Sequence, residues 1–120
     1  MLFRSRRVER QLGLRVTYEK PDTMVPVRPD VAIQVYRVLQ EALSNVARHA
    51  GTAEAIVRLA FRNGTLHLEV EDHGAGLPAA GGPRGLGVVA MRERAELVGG
   101  RVTWSRPPAG GTLVSLVVPL

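Results

Sequence analysis

Residues 55–72, AIVRLAFRNGTLHLEVED, decide the fold of this chain. Apolar and polar side chains alternate on both sides of Asn63-Gly64, a dipeptide that favours tight hairpin turns, so the stretch predicts two antiparallel strands. The leucines and the valine of the second strand face inward, and the same alternation places Asp72 on the buried face where that strand ends. A buried carboxylate is costly unless it is paired or hydrogen-bonded. Asp72 is therefore either a turn-forming residue at the strand end or an acceptor for a ligand.

Around this hairpin, the patterns predict one helix before it and one after it. In chain order the predicted elements are the end of a helix at 2–11, a strand at 12–18, a proline-rich connector at 21–29, a helix with Asp30 as N-cap and Gly51 as its end, the hairpin, a glycine-rich loop at 73–87, a helix at 86–98, and two strands near 102–104 and 112–118. Hairpins interleaved with two helices predict an α/β (α+β) two-layer sandwich. Its mixed, mostly antiparallel sheet should carry the helices on one face.

The composition narrows the classes of function. The 120 residues suffice for one domain, and the absence of cysteine excludes disulfides and thiolate metal sites. A formal net charge of +5 is compatible with nucleic acid or phosphate ligands. The arginines are scattered and no aromatic platform accompanies them, so we expect no nucleic-acid binding.

Four polar residues of the first predicted helix, Gln34, Glu41, Asn45 and Arg48, fall along one edge of its apolar stripe. Glu41 and Asn45 lie one turn apart, so their side chains can converge on one ligand. Carboxylate and amide oxygens suit a Mg²⁺ ion that also takes waters and phosphate oxygens as ligands. A solvated helix face with a local polar pair is the alternative interpretation.

The loop at 73–87 contains six glycines and two prolines, which exclude regular structure. Its Gly74-Ala75-Gly76 turn either lets the backbone approach a flat ligand or is simply flexible. Gly85-Leu86-Gly87 opens the second helix, where free N–H groups favour phosphate, and Arg84 is a possible charge partner. The same glycines fit a dinucleotide-binding pattern, but the strand that must precede that pattern is missing.

Taken in order, these motifs resemble the conserved boxes of histidine kinases. Gln40–Ala50, QEALSNVARHA, resembles the N box; Glu71–Leu77, EDHGAGL, the G1 box; and Arg84–Gly87, RGLG, the G2 box. Gly110-Gly111-Thr112 resembles the strand-leading G-G-T near the family's end. Met91–Arg94 followed by Gly99-Gly100 resembles the nitrate-sensor and thermosensor group, which pairs with LuxR-type response regulators. The similarity covers roughly Leu14 to Leu120.

The resemblance implies the Bergerat (GHKL) fold, with ATP and Mg²⁺ as ligands. It implies that Asn45 holds Mg²⁺ against the phosphates, that Glu41 supports the metal or its water, and that Asp72 accepts a hydrogen bond from the adenine amine. Residues 73–84 would form a mobile lid. The other residues expected near the nucleotide are Arg48, His49, Gly74, Gly76, Leu77, Arg84, Gly85, Leu86, Gly87 and Thr112.

The resemblance also implies partners, because no H box with a phosphorylatable histidine occurs in this chain. We expect a histidine-bearing dimerisation domain elsewhere in the parent protein, a downstream response regulator, and a monomeric isolated domain on the cytoplasmic side, whether or not the parent is anchored in a membrane. Residues 1–11 are assigned to the linker or helix end that leads from the dimerisation domain, and 12–120 to the ATP-binding domain. Two features depart from the family: His73 stands where many relatives have asparagine, and the aromatic-rich F box is missing.

Three alternatives remain open at this stage. The chain could be another enzyme of the same fold, such as an anti-sigma-factor serine kinase or an ATPase of the gyrase or chaperone type. It could be a nucleotide-sensing module without catalysis. A basic nucleic-acid binder is the third alternative. Its affinity for nucleic acid would fall steeply as the ionic strength is raised.

Overall fold

The computed structural model describes residues 2–4, 13–49, 54–74 and 86–120. The elements, in chain order, are β1 (Leu2–Arg4), β2 (Arg15–Glu19), α1 (Pro29–His49), β3 (Glu54–Arg62), β4 (Thr65–Asp72), α2 (Leu86–Leu97), β5 (Arg101–Ser105) and β6 (Thr112–Pro119). None of the helices in these ranges combines the length and the apolar character needed to cross a membrane.

The described strands form one mixed sheet with the order β1-β2-β3-β4-β6-β5. β2 and β3 run parallel, with α1 as the crossover between them, and the other four strand pairs are antiparallel. The apolar row of each long strand faces the two helices in a single core, which confirms the predicted two-layer sandwich.

The hairpin of β3 and β4 follows the sequence pattern closely. Asn63 and Gly64 have φ values of 52° and 71°, the pair of positive angles that the tightest hairpin turn requires. Along β4, Leu66, Leu68 and Val70 are buried and Asp72 is only 5% exposed. The alternation therefore carries the carboxylate onto the core face, as predicted.

The start of α1 differs from the prediction. Asp30 is not the N-cap, because the helix begins at Pro29 and the carbonyl of Arg28 accepts the first bonds, from the N–H groups of Val31 and Ala32. Proline suits the first helical position, where its missing N–H costs nothing. The Asp30 carboxylate instead pairs with the Arg28 guanidinium at 2.8 Å, within the first turn.

The N-terminal prediction of a helix end is wrong for residues 2–4. These residues form β1, which pairs antiparallel with β2 and aligns Phe3 with Tyr18. An edge strand gains its order from ladder bonds to its neighbour, and a local reading of a short basic segment does not contain that partner. Residues 5–12 lie outside the described residues; β2 itself starts at Arg15 rather than at position 12.

The two helices share the core through small and apolar side chains. Val38, Ala42 and Val46 of α1 and Met91 and Ala95 of α2 are each at most 5% exposed. The helical spacing of the sequence predicts an apolar stripe of Val35, Val38, Leu39, Ala42 and Val46. That stripe is only partly correct, because Val35 and Leu39 are half-buried whereas Leu43, outside it, is buried.

Gly99-Gly100, which the sequence predicts as the stop of the second helix, follows the end of α2 at Leu97. The N–H of Gly100 bonds to the carbonyl of Ala95, and the N–H of Gly99 bonds to that of Glu96. Gly99 has a φ of 72°, which completes a Schellman motif.

Candidate functional site

Polar side chains on the C-terminal half of α1 converge on one positive charge. Arg48 Nη2 donates to Asn45 Oδ1 at 2.9 Å and to Glu41 Oε1 at 3.3 Å, and Arg48 Nη1 donates to Ser44 Oγ at 2.7 Å. The i, i+3, i+4 and i+7 spacings of a helix place these groups on one face. Two hard oxygens thus lie within reach of a single cationic nitrogen. Ser44 was not among the predicted site residues, although its place in the same motif is the signal that could have identified it.

The first turn of α2 meets this cluster at Gly87. A Cβ added to Gly87 would collide with Glu41 Oε1, so the backbone of α2 approaches the carboxylate more closely than any side chain allows. The first N–H groups of a helix have no partner within the helix. The structure therefore brings the first turn of α2, whose leading N–H groups have no partner within the helix, beside the Glu41 carboxylate.

Asp72 lies at the buried end of β4. Its Oδ1 accepts a hydrogen bond from the N–H of Gly74 at 2.9 Å, which is the turn interaction that the sequence left open as an alternative. A carboxylate accepts about four hydrogen bonds, so one turn bond leaves most of its capacity for another donor. The two interpretations of Asp72 are therefore compatible.

The loop before β6 closes tightly over the end of β4. Gly111 has a φ of 88°, and a Cβ added there would collide with the carbonyl oxygen of Asp72. Thr112 aligns with Asp72 in the β4–β6 ladder and is half-buried. Gly111 was quoted in the G-G-T motif but was not predicted as a site residue; two consecutive glycines before a strand were the signal for this close approach.

On the opposite face of the sheet, Arg58 of β3 forms ion pairs with acidic residues of the two neighbouring strands, β2 and β4. It lies 2.7 Å from Glu71, 3.7 Å from Glu69 and 3.0 Å from Glu19. The hydrogen bond from Arg58 holds the pKa of Glu71 below its ordinary value of 4.5, although partial burial opposes this shift. His73 Nε2 lies 2.6 Å from Glu71 Oε2, so the departure from the family's asparagine is attached to this network rather than to Asp72.

Gln34 is the fourth polar residue that the sequence places along the same edge of this helix. It accepts a hydrogen bond from Arg94 at 3.2 Å. This bond connects the first half of α1 to α2, so Gln34 and one arginine of the Met91–Arg94 motif join the two helices. In the part of the chain that the structure describes, no three acidic or histidine side chains are grouped as a metal site would require. A metal at Glu41 and Asn45 would depend on further ligands from phosphate and water.

Several predicted site residues lie where the structure does not describe them. Gly76, Leu77, Arg84 and Gly85 belong to residues 75–85, outside the described ranges, as does most of the predicted lid. The backbones of His49 and Leu86 end α1 and begin α2, but their side chains are not described.

The chain matches the family described as "Histidine kinase-, DNA gyrase B-, and HSP90-like ATPase" over residues 30–120. It is 35% identical over 122 residues to the oxygen sensor histidine kinase NreB of Staphylococcus carnosus, covering 98% of this chain and 35% of that protein. It is also 35% identical over 92 residues to the sensor histidine kinase YxjM of Bacillus subtilis, covering 77% of this chain and 22% of that protein. The chain thus spans about a third or less of these relatives.

Two solved structures share the architecture. The histidine kinase domain of a blue-light activated histidine kinase from Erythrobacter litoralis aligns with a TM-score of 0.77 at 26% identity, covering 96% of this chain and 57% of that one. The ATP-binding domain of PrrB from Mycobacterium tuberculosis aligns with a TM-score of 0.76 at 20% identity, covering 94% and 88%, and shows the fold alone. The chain therefore belongs to the histidine kinase-, DNA gyrase B- and HSP90-like ATPase family, as an ATP-binding domain of the kind that sensor histidine kinases carry.

Proposed function

We propose that this domain binds Mg-ATP and positions the γ-phosphoryl group for transfer to a histidine on a separate dimerisation domain of a two-component sensor kinase. The observation that carries the proposal is the convergence of Glu41 and Asn45 on one cationic nitrogen, next to the glycine-lined start of α2. A carboxylate, an amide oxygen and free helix N–H groups together suit a metal ion bound to phosphate.

The residues at the proposed metal position fit Mg²⁺. One Arg48 nitrogen lies 2.9 Å from Asn45 Oδ1 and 3.3 Å from Glu41 Oε1, and this shared contact supports a cation position between the two oxygens. Asn45 Oδ1 would ligate the ion, and Glu41 would ligate it or hold one of its waters. When bound, Mg²⁺ neutralises charge on the phosphate oxygens. Arg48, which is about half exposed, would be available to pair with those phosphates in place of Asn45 and Glu41.

The adenine base would be recognised by Asp72 at the end of β4. Asp72 is buried and keeps acceptor capacity after its bond to Gly74. It would accept a hydrogen bond from the exocyclic amine, a contact that guanine does not offer at the same position. The tight approach of Gly111 to the Asp72 carbonyl and the pairing of Thr112 with Asp72 support a rigid wall for the base.

In phosphoryl transfer, this domain positions the reacting groups and neutralises their charge, and it forms no covalent bond itself. The bond from the γ-phosphorus to the bridging oxygen breaks and leaves ADP, while a bond to the imidazole nitrogen of the acceptor histidine forms. His49, His67 and His73 are each followed by a residue other than Asp or Glu, which supports an acceptor outside this stretch.

The wider assignment rests on the relatives and on one motif. NreB and YxjM are named sensor histidine kinases, which supports a response regulator as the downstream partner. Met91–Arg94 followed by Gly99-Gly100 supports the group that pairs with LuxR-type regulators. We place the domain on the cytoplasmic side, where ATP is supplied.

The metal part of the proposal is tested by comparing ATP with adenosine. In Asn45→Ala, calorimetry with a non-hydrolysable ATP analogue should show that most of the Mg²⁺-dependent gain in affinity is lost, whereas adenosine affinity is retained. Gln40→Ala, an exposed amide on the same helix, is the matched control. Equal losses for adenosine and for the ATP analogue would mean that Asn45 supports the fold and not the metal.

A further inference from the structure

A cavity of about 530 Å³ lies between the sheet, the first half of α1 and the connector that precedes it. Its floor is part of the core, since Val16, Val57, Leu66 and Leu68 are each at most 4% exposed. Leu66 begins the apolar row of β4, and Asp72 ends it. Six residues of extended strand separate them by about 20 Å, so this cavity is not the proposed nucleotide site.

The cavity exists because the core-facing apolar residues of the sheet extend further toward the β3–β4 hairpin than the helix that packs on them. On β3, Val57 is buried whereas Leu59 and Phe61, nearer the hairpin, are only half-buried. On α1, Val35 and Leu39 are half-buried although their spacing places them on the apolar stripe. The apolar rows of the two layers therefore face a shared space instead of each other.

The chemistry of the lining restricts the occupant. Among the described residues, those that line the cavity are all apolar or aromatic, and their only side-chain oxygen or nitrogen atoms are the hydroxyls of Tyr18 and Tyr36. Burial raises the pKa of Tyr18, which agrees with an apolar surrounding. The volume would hold about eighteen waters at liquid density, but two hydroxyls satisfy few of them. An uncharged apolar occupant is favoured over water and over any anion or cation.

The size of the cavity fits a small molecule. The volume falls within the roughly 300–1,000 Å³ of pockets that bury drug-sized ligands. The lining comes from β2, β3, β4, α1 and the connector. Met24 and Val25 belong to this connector, which has no regular structure and can adjust to an occupant. We propose that this cavity is a binding site for a small, uncharged, apolar molecule.

The proposal is tested with hexanol, octanol and decanol, measured by displacement of the neutral fluorescent probe N-phenylnaphthylamine from the intact chain. A site that desolvates the alkyl chain should bind about fourfold more tightly for each added methylene, which corresponds to ~0.8 kcal/mol. The gain should stop for alcohols too long for the cavity. Binding should saturate at one alcohol per chain.

Ala32→Phe is the decisive variant, because Ala32 lines the cavity yet is itself exposed on α1. The added ring should occupy the space and weaken decanol by about fifteenfold, the worth of roughly two methylenes. Ile33→Phe is the matched control: Ile33 is the next residue, is 45% exposed and does not line the cavity, so decanol affinity should stay unchanged.

Binding of the ATP analogue reports whether each variant is folded. If Ala32→Phe does not fold, Met24→Glu decides instead, because Met24 is 66% exposed and its replacement places a carboxylate at the mouth. That variant should also bind decanol more weakly than wild type. The proposal is overturned by the absence of saturable alcohol binding, or by equal affinities in the folded variant and the control. Either result would leave this lining as a surface that a larger partner covers.

Discussion

Replacing Asp72 by asparagine should separate base recognition from folding. Asp72 is 5% exposed, and its Oδ1 accepts the Gly74 N–H at 2.9 Å. Asparagine keeps an oxygen for that turn bond, but its second atom is an NH₂ donor that faces the donor of the adenine amine. Losing a buried hydrogen bond to a charged group costs ~1.5–3 kcal/mol. We therefore expect affinity for the ATP analogue to fall by about ten- to hundredfold.

Calorimetry of ATP and GTP analogues measures both the loss and the change in selectivity. The preference for adenine should shrink in Asp72→Asn, whereas thermal stability should change little because the turn bond remains. Glu71→Gln is the matched control, since Glu71 immediately precedes Asp72 but pairs with Arg58 on the opposite face of the sheet. If Asp72→Asn binds the ATP analogue as wild type does, Asp72 is a turn residue only and the base contact is wrong.

Two further perturbations test other parts of the account. Gly87→Ala should displace the Glu41 carboxylate, which can move aside at small cost to stability. A Mg²⁺ titration of ATP affinity should then show a several-fold weaker metal dependence, and an unaltered dependence would mean that Gly87 is not part of the site. The pKa of Glu71 is lowered in the folded state, so its ion pair stabilises the fold above the unfolded pKa of about 4.5 and this contribution is lost as the pH falls through the lower folded value. Urea unfolding between neutral pH and about pH 3 should therefore show a shallower acid loss in Glu71→Gln than in wild type, and parallel curves would contradict the shift.

Local chemistry in the sequence was sufficient for the hairpin and for the polar face of α1. Asn63-Gly64 supplies the positive φ angles of the turn, and strict alternation carries Asp72 to the core face. Helical spacing alone brings Glu41, Asn45 and Arg48 together. These features need no partner from elsewhere in the chain, so periodicity and turn chemistry predict them.

Features that depend on distant partners were not predictable in the same way. β1 is defined by its ladder with β2, and a short basic segment carries no sign of that pairing. The contact between Gly87 and Glu41 joins two residues that lie more than forty positions apart in the sequence. The half-burial of Val35 and Leu39 depends on how far the helix stands from the sheet, which a hydrophobic stripe does not encode.

The central claim is that this domain supplies ATP and geometry while the histidine comes from another domain. The direct measurement incubates the chain with γ-labelled ATP, alone and with a separately made dimerisation domain of its own parent protein. The account predicts that the chain alone gains no acid-labile, base-stable phosphate, that the added domain becomes labelled on histidine, and that Asn45→Ala removes this labelling. Stoichiometric labelling of the isolated chain at His49, His67 or His73 would contradict it. An unlabelled partner beside a chain that binds ATP well would instead favour a nucleotide-sensing role.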